Sequence, residues 1–209
     1  MVRHDPDALP PSIVALARDG GRIGLLGGSF NPAHQAHRHI SLIALRRLKL
    51  EAIWWLVSPQ NPLKSTAGMA SLERRLQKAR AVAAHPDIHV SAAEKALRTQ
   101  YTIDTLEALT AKYSKAQFVW LMGGDSLASF HLWRRWKTIA KLLPIAVVAR
   151  PGFTIRALAS PAAQFLDDAR IDERNAARLA ELPPPAWVFL RERLDPTSAT
   201  ALRNRGVWR

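Results

Sequence analysis

Six short apolar runs, set apart by helical patterns, constrain this chain more than any other feature of it. Residues 23–26, 52–57, 88–90, 117–122, 144–149 and 187–190 read as strands. Between them the apolar spacing changes to that of helices. Residues 36–48 place Ile40, Ile43, Ala44 and Leu48 on one face, and Ser71 is a candidate N-cap for a helix carrying Leu72, Leu76, Ala79 and Val82. Residues 102–113 form another helix, 155–182 read as one or two surface helices, and a last helix starts near 195–200. Residues 58–70, rich in Pro, Asn, Ser and Gly, read as a long loop. Strands alternating with helices predict an α/β fold with a mainly parallel sheet. In such a sheet ligands bind at the C-terminal ends of the strands, and the Gly-rich and polar clusters of this chain fall there.

At 209 residues, 48% of them hydrophobic, the chain is long enough for one domain with a substantial core. The expected organisation is an N-terminal extension at 1–20 followed by a single domain at 21–209. Cysteine is absent, which excludes disulfides and thiolate chemistry and suits a cytoplasmic location. Residues 1–20, with Asp5, Asp7, Arg18 and Asp19, do not read as a signal peptide, and no apolar run approaches the roughly 20 residues of a membrane span. The net charge of +13 favours anionic partners. The basic pairs Arg46–Arg47, Arg74–Arg75 and Arg134–Arg135 are spread along the chain and read mostly as solvated helix faces. No nucleic-acid arm and no membrane partner is expected, and a homo-oligomer is compatible with the sequence.

Residues 24–39 hold the densest functional signal. The first apolar run ends in Gly27-Gly28, an Asn31-Pro32 turn follows, and His34 and His37 open a helix. A helix start offers unpaired N–H groups and the positive end of the dipole, so it attracts anions. Two histidines at i, i+3 project beside that anion site from one face of the first turn. By themselves two such histidines are more often surface or core residues than catalytic ones. The glycine turn and the strand before it change that balance, because together they build a backbone phosphate cradle. Neither G-x-x-x-x-G-K-(S/T) nor G-x-G-x-x-G is present, so the common phosphate loops are excluded.

The stretch resembles the G-G-x-F-(D/N)-P-x-H-x-G-H signature of the nucleotidyltransferase superfamily, with Ala36 at the usual glycine. Ser198, Thr200 and Arg203 match S-x-T-x-x-R, similar to that superfamily's second motif, with Thr197 in place of its leading Ile and about 160 residues after the histidines. Tyr101-Thr102-Ile103-Asp104-Thr105-Leu106 resembles the Y-T-I-D-T-L block of bacterial nicotinate mononucleotide adenylyltransferases. Gly123-Gly124-Asp125-Ser126-Leu127, then Phe130 and Trp133, resembles the G-x-D-(S/N)-L…F-x-x-W block of the same family.

This resemblance, running from about residue 22 to 206, implies a Rossmann-like nucleotidyltransferase fold with helices on both faces of the sheet. The implied activity is adenylyl transfer from ATP, carried with Mg²⁺, to nicotinate mononucleotide. His34, His37 and Arg203 are then the expected catalytic residues. Gly27, Gly28, Ser29, Phe30, Asp125, Ser198 and Thr200 are the expected ATP-binding residues. Trp133 would stack on the pyridine ring, with Thr102 and the backbone near Trp133 and Arg134 receiving the carboxylate. Lys64 would touch a substrate phosphate or remain a solvated loop lysine; no protein side chain is expected as a dedicated metal ligand. A pantetheine-phosphate adenylyltransferase shares both end motifs but leaves 101–106 and 123–133 unexplained. A class I aminoacyl-tRNA synthetase fragment would need a K-M-S-K-S-like loop, which is missing. A noncatalytic nucleotide-binding regulator of the same fold is the reading from a different class.

Overall fold

The computed structural model describes residues 9–59, 69–192 and 199. Seven strands form one sheet: β1 (Arg22–Gly28), β2 (Ala52–Val57), β3 (Ile88–Ser91), β4 (Gln117–Gly123), β5 (Ile145–Val148), β6 (Arg170–Ile171) and β7 (Trp187–Leu190). Their order is β3-β2-β1-β4-β5-β7-β6 and every pairing is parallel. This is a Rossmann-like arrangement, and the order reverses between β1 and β4, the point at which sheets of this kind bind ligands beyond the C-terminal strand ends. Nine α-helices occur among the described residues: α1 (Pro11–Arg18), α2 (Gln35–Arg47), α3 (Leu72–Ala83), α4 (Ala93–Leu97), α5 (Thr102–Lys112), α6 (Gly124–Ser129), α7 (Trp136–Leu142), α8 (Thr154–Leu158) and α9 (Pro161–Phe165).

Strand alternation sorts the side chains into two cores, one per face of the sheet. Ile53, Trp55 and Val57 of β2 join Ile40 and Ile43 of α2 and Leu76 and Ala79 of α3 on one side. Trp54 and Leu56 join Ile103, Leu106 and Leu109 of α5 and Ile139 of α7 on the other. Both faces are therefore covered, which is why β2 is apolar along its whole length and buried at all six positions. Ser71 caps α3 as its sequence predicts, accepting from the Arg74 N–H at 3.3 Å. At the N-terminal end Ala17 of α1 is fully buried, and Leu16 lies so close to Gly21 that a Cβ there would sit 2.4 Å from it. Among the described residues no helix is long and apolar enough to cross a membrane.

The surface helices expected at 155–182 are not what forms. The segment contains α8, α9, two 3₁₀ stretches at Asp167–Ala169 and Glu173–Glu181, and the two-residue edge strand β6. Three of its alanines, Ala157, Ala162 and Ala176, are buried at 0–1% exposure. Alanine spacing reads as helix propensity, but here the small side chains are used to bring the segment close to the sheet. The helix expected near 195–200 lies outside the described residues, apart from residue 199.

Candidate active site

β1 delivers the chain to the crevice through Gly27 and Gly28. A Cβ on Gly27 would sit 2.4 Å from the six-membered ring of Trp120 on β4, so this close approach admits only glycine. Ser29 and Phe30 turn the chain, and Phe30 adopts φ 46°, in the left-handed region that a bulky residue seldom occupies. Its ring is 2% exposed and stacks on Trp55 at 5.0 Å, which holds the turn in place. What Phe30 can offer a nucleotide is therefore its backbone, while its side chain supports the turn from below.

His34 is the N-cap of α2 and His37 its third helical residue. Their rings lie 3.9 Å apart, centroid to centroid, and the Phe30 ring lies 4.7 Å from His37. The His34 N–H donates to Nδ1 of His37 at 3.2 Å. With Nδ1 accepting, the proton of a neutral His37 ring resides on Nε2, which makes that nitrogen a donor. Ser41 donates its hydroxyl to the His37 carbonyl at 2.9 Å and accepts from Trp55 Nε1 at 2.8 Å. The first turn of α2 is thus tied to the strand beneath it. Ala36, at the signature's glycine position, is 3% exposed, so its extra methyl group is covered by protein.

The other expected site residues sit at neighbouring strand ends. Asp125, in the first turn of α6 after β4, pairs with Arg150 beyond β5 at 2.8 Å. Gly123 leaves room for that carboxylate: a Cβ would meet Asp125 Oδ1 at 2.5 Å. Thr102 opens α5, and Arg134 lies 4.3 Å over the ring of Tyr101 just before it. Arg135 reaches Glu107 of α5 with two hydrogen bonds, at 2.9 and 3.2 Å, so the 130–135 loop is fastened to that helix. Trp133 stands edge-on to Phe130 at 5.4 Å and to Trp120 at 6.2 Å and remains partly exposed. Through Trp120, the tryptophan expected at the pyridine ring is connected to Gly27 of the phosphate turn. Lys64, Ser198, Thr200 and Arg203 lie outside the described residues.

One residue of the site escaped the sequence reading. The sequence places Arg75 with Arg74 on a solvated helix face, but in the structure Arg75 is 1% exposed. Its guanidinium donates to four carbonyls: Ser29 at 2.7 Å, Ser58 at 2.6 Å, Pro59 at 2.8 Å and Ala70 at 3.0 Å. The signal was present in the spacing, because Leu72, Arg75, Leu76 and Ala79 share one helix face, where a charged residue requires a buried partner. Burial lowers the pKa of Arg75, opposed by the charges of Glu73 and Glu94. Glu94 of α4 is itself buried and hydrogen-bonded to the Ser58 side chain, while its Oε2 has no hydrogen-bond partner among the described residues. Burial pushes the Glu94 carboxyl up to about 7, against the pull of the Ser58 bond and the Arg75 charge.

The family model described as cytidylyltransferase-like matches residues 25–205. The chain is 52% identical over 193 residues to a "probable nicotinate-nucleotide adenylyltransferase" of Parvibaculum lavamentivorans, covering 92% of this chain and 96% of that relative. It is also 52% identical over 189 residues to one of the same description from Bradyrhizobium sp., covering 90% and 98% respectively. In fold it is similar to the nicotinic acid mononucleotide adenylyltransferase of Plasmodium falciparum complexed with NaAD, with a TM-score of 0.66 at 15% identity over 88% of this chain and 83% of that one.

Proposed function

This chain belongs to the nicotinate-nucleotide adenylyltransferases of the cytidylyltransferase-like family, and from that premise we propose how its own residues carry out the reaction. The enzyme transfers the adenylyl group of ATP to nicotinate mononucleotide, giving nicotinate adenine dinucleotide and pyrophosphate in NAD biosynthesis. A 5′-phosphate oxygen of the mononucleotide forms a bond to the α-phosphorus of ATP. The bond from that phosphorus to the oxygen bridging to the β-phosphorus breaks, and pyrophosphate leaves with its electrons. The nucleophile is already an anion near neutral pH, so the protein has to position the reactants and neutralise charge rather than abstract a proton.

The observation that carries this reading is the close pair of histidine rings at the start of α2, beside the glycine turn at the reversal of strand order. In the proposal, His34 and His37 donate to phosphate oxygens, His37 through Nε2, and the backbone from Gly27 to Phe30 lines the triphosphate. Asp125 is held by Arg150 in a position to accept from a ribose hydroxyl. Ser198, Thr200 and Arg203 complete the phosphate clamp. Trp133 stacks on the pyridine ring, Thr102 and the backbone at Trp133 and Arg134 receive its carboxylate, and Lys64 faces the mononucleotide phosphate. Among the described residues no group of three or more His, Cys, Asp or Glu could cage a metal. Mg²⁺ would enter with ATP as the counterion of its triphosphate. When bound it offsets the triphosphate charge.

The test is pyrophosphate release from Mg·ATP with nicotinate mononucleotide, run beside the amide mononucleotide and phosphopantetheine. Release with the acid mononucleotide well above the other two is expected. No release with it would overturn the reading.

A further inference from the structure

We propose that Arg75 is a positioning residue for adenylyl transfer, clamping the phosphate turn to both ends of the segment that leaves β2. The inference rests on the adenylyltransferase reading above. Ser29 belongs to the turn that precedes the histidines; Ser58 and Pro59 are the first residues after β2; Ala70 stands directly before Ser71, the N-cap of the helix that carries Arg75 itself. One guanidinium bonds all four carbonyls at 2.6–3.0 Å. Two further bonds run in parallel with the clamp. The Ser58 N–H donates to the Gly28 carbonyl at 2.9 Å, and the Ala70 N–H donates to Asn31 Oδ1 at 3.2 Å.

The arrangement is chemically specific. A planar fork with five N–H donors can serve several carbonyls at once, which an ammonium on a flexible stem cannot do in the same geometry. The recipients are neutral carbonyls rather than a carboxylate in direct contact, so the guanidinium serves to fix backbone. Its charge is supported by Glu73 first and then by Glu94, which is bonded to the same Ser58. The clamp sets the distance between the backbone that lines one substrate's phosphates and the segment that leads away from β2 beside it. An in-line displacement tolerates little error there: a displacement of about 1 Å can cost on the order of a hundredfold in rate.

Arg75→Lys and Arg75→Ala test the proposal, with kcat expressed per folded protein and folding measured by circular dichroism at the assay temperature. Both variants are expected to lose at least tenfold in kcat, with KM for ATP and for the mononucleotide changing less than kcat. Millimolar guanidinium should restore Arg75→Ala by several-fold, whereas sodium at the same ionic strength should not. If Arg75→Ala does not fold, the lysine variant decides. A folded Arg75→Lys enzyme within tenfold of wild-type kcat overturns the proposal, as does a folded alanine variant that guanidinium leaves unchanged. An inactive wild-type enzyme would instead defeat the adenylyltransferase reading, and the two failures are thereby distinguished.

Discussion

Replacing Glu94 by Gln should stabilise the enzyme, and by an amount that depends on pH. The carboxyl has its pKa raised from 4.5 to about 7 because burial disfavours its charged form more than Ser58 and Arg75 favour it. Between those two values the folded protein holds a proton that the unfolded chain has released. Stability therefore falls as pH rises through the window from about 4.5 to 7, and the whole cost is present above it. At 1.36 kcal/mol per unit, the cost at pH 8 is about 3 kcal/mol, and about 2–3 kcal/mol of it develops between pH 5 and pH 8. Gln keeps the shape and the neutrality of the protonated acid, so the variant should escape that loss. Urea titrations of wild type and Glu94→Gln at pH 5, 6.5 and 8 measure it. The two should nearly coincide at pH 5 and separate in favour of the variant at pH 8, with a gap of about 2–3 kcal/mol in unfolding free energy. A separation that stays constant across the range would refute the argument. So would a variant less stable than wild type at pH 8, because the Arg75 attraction would then outweigh burial.

Two further outcomes concern the reacting centre. His37→Ala removes the donor at the helix start and should lower kcat by about 10²-fold or more while the KM for the mononucleotide changes only a few-fold, as steady-state pyrophosphate assays would read. Trp133→Ala should chiefly raise the KM for the mononucleotide, by roughly tenfold or more, with kcat much less affected; an unchanged KM would return Trp133 to a packing role against Phe130 and Trp120.

The strand pattern and the histidine signature were legible because each is written locally. An apolar run such as 52–57 needs no distant partner to be recognised, and the Gly27-to-His37 turn is a continuous stretch. The parts that escaped depend on contacts remote in sequence. Arg75 meets Ser29 across 46 residues, and only the fold shows that the pair Arg74–Arg75 divides into one exposed and one buried member. The requirement for glycine at position 27 comes from Trp120, on a strand paired with β1 but far along the chain. At 155–182 the alanines were ambiguous for another reason: the same small side chain favours a helix and permits close packing, and a two-residue edge strand is too short to leave a pattern.

The order of strands also has a temporal meaning. β2 lies between β1 and β3 in space and in sequence, so the stretch made before β4 already contains the histidines and the glycine turn. The elements that carry Asp125, Thr102 and Trp133, the residues proposed to meet the ribose and the pyridine, are synthesised later, with β4 docking against β1. The crevice is therefore a seam between an early half and a late half of the molecule. A nascent chain or a fragment broken between α4 and α5 would carry one wall of the site without the other. Adenylyl transfer would then begin only when the two halves join, and two such fragments mixed in a test tube should be silent apart and active together.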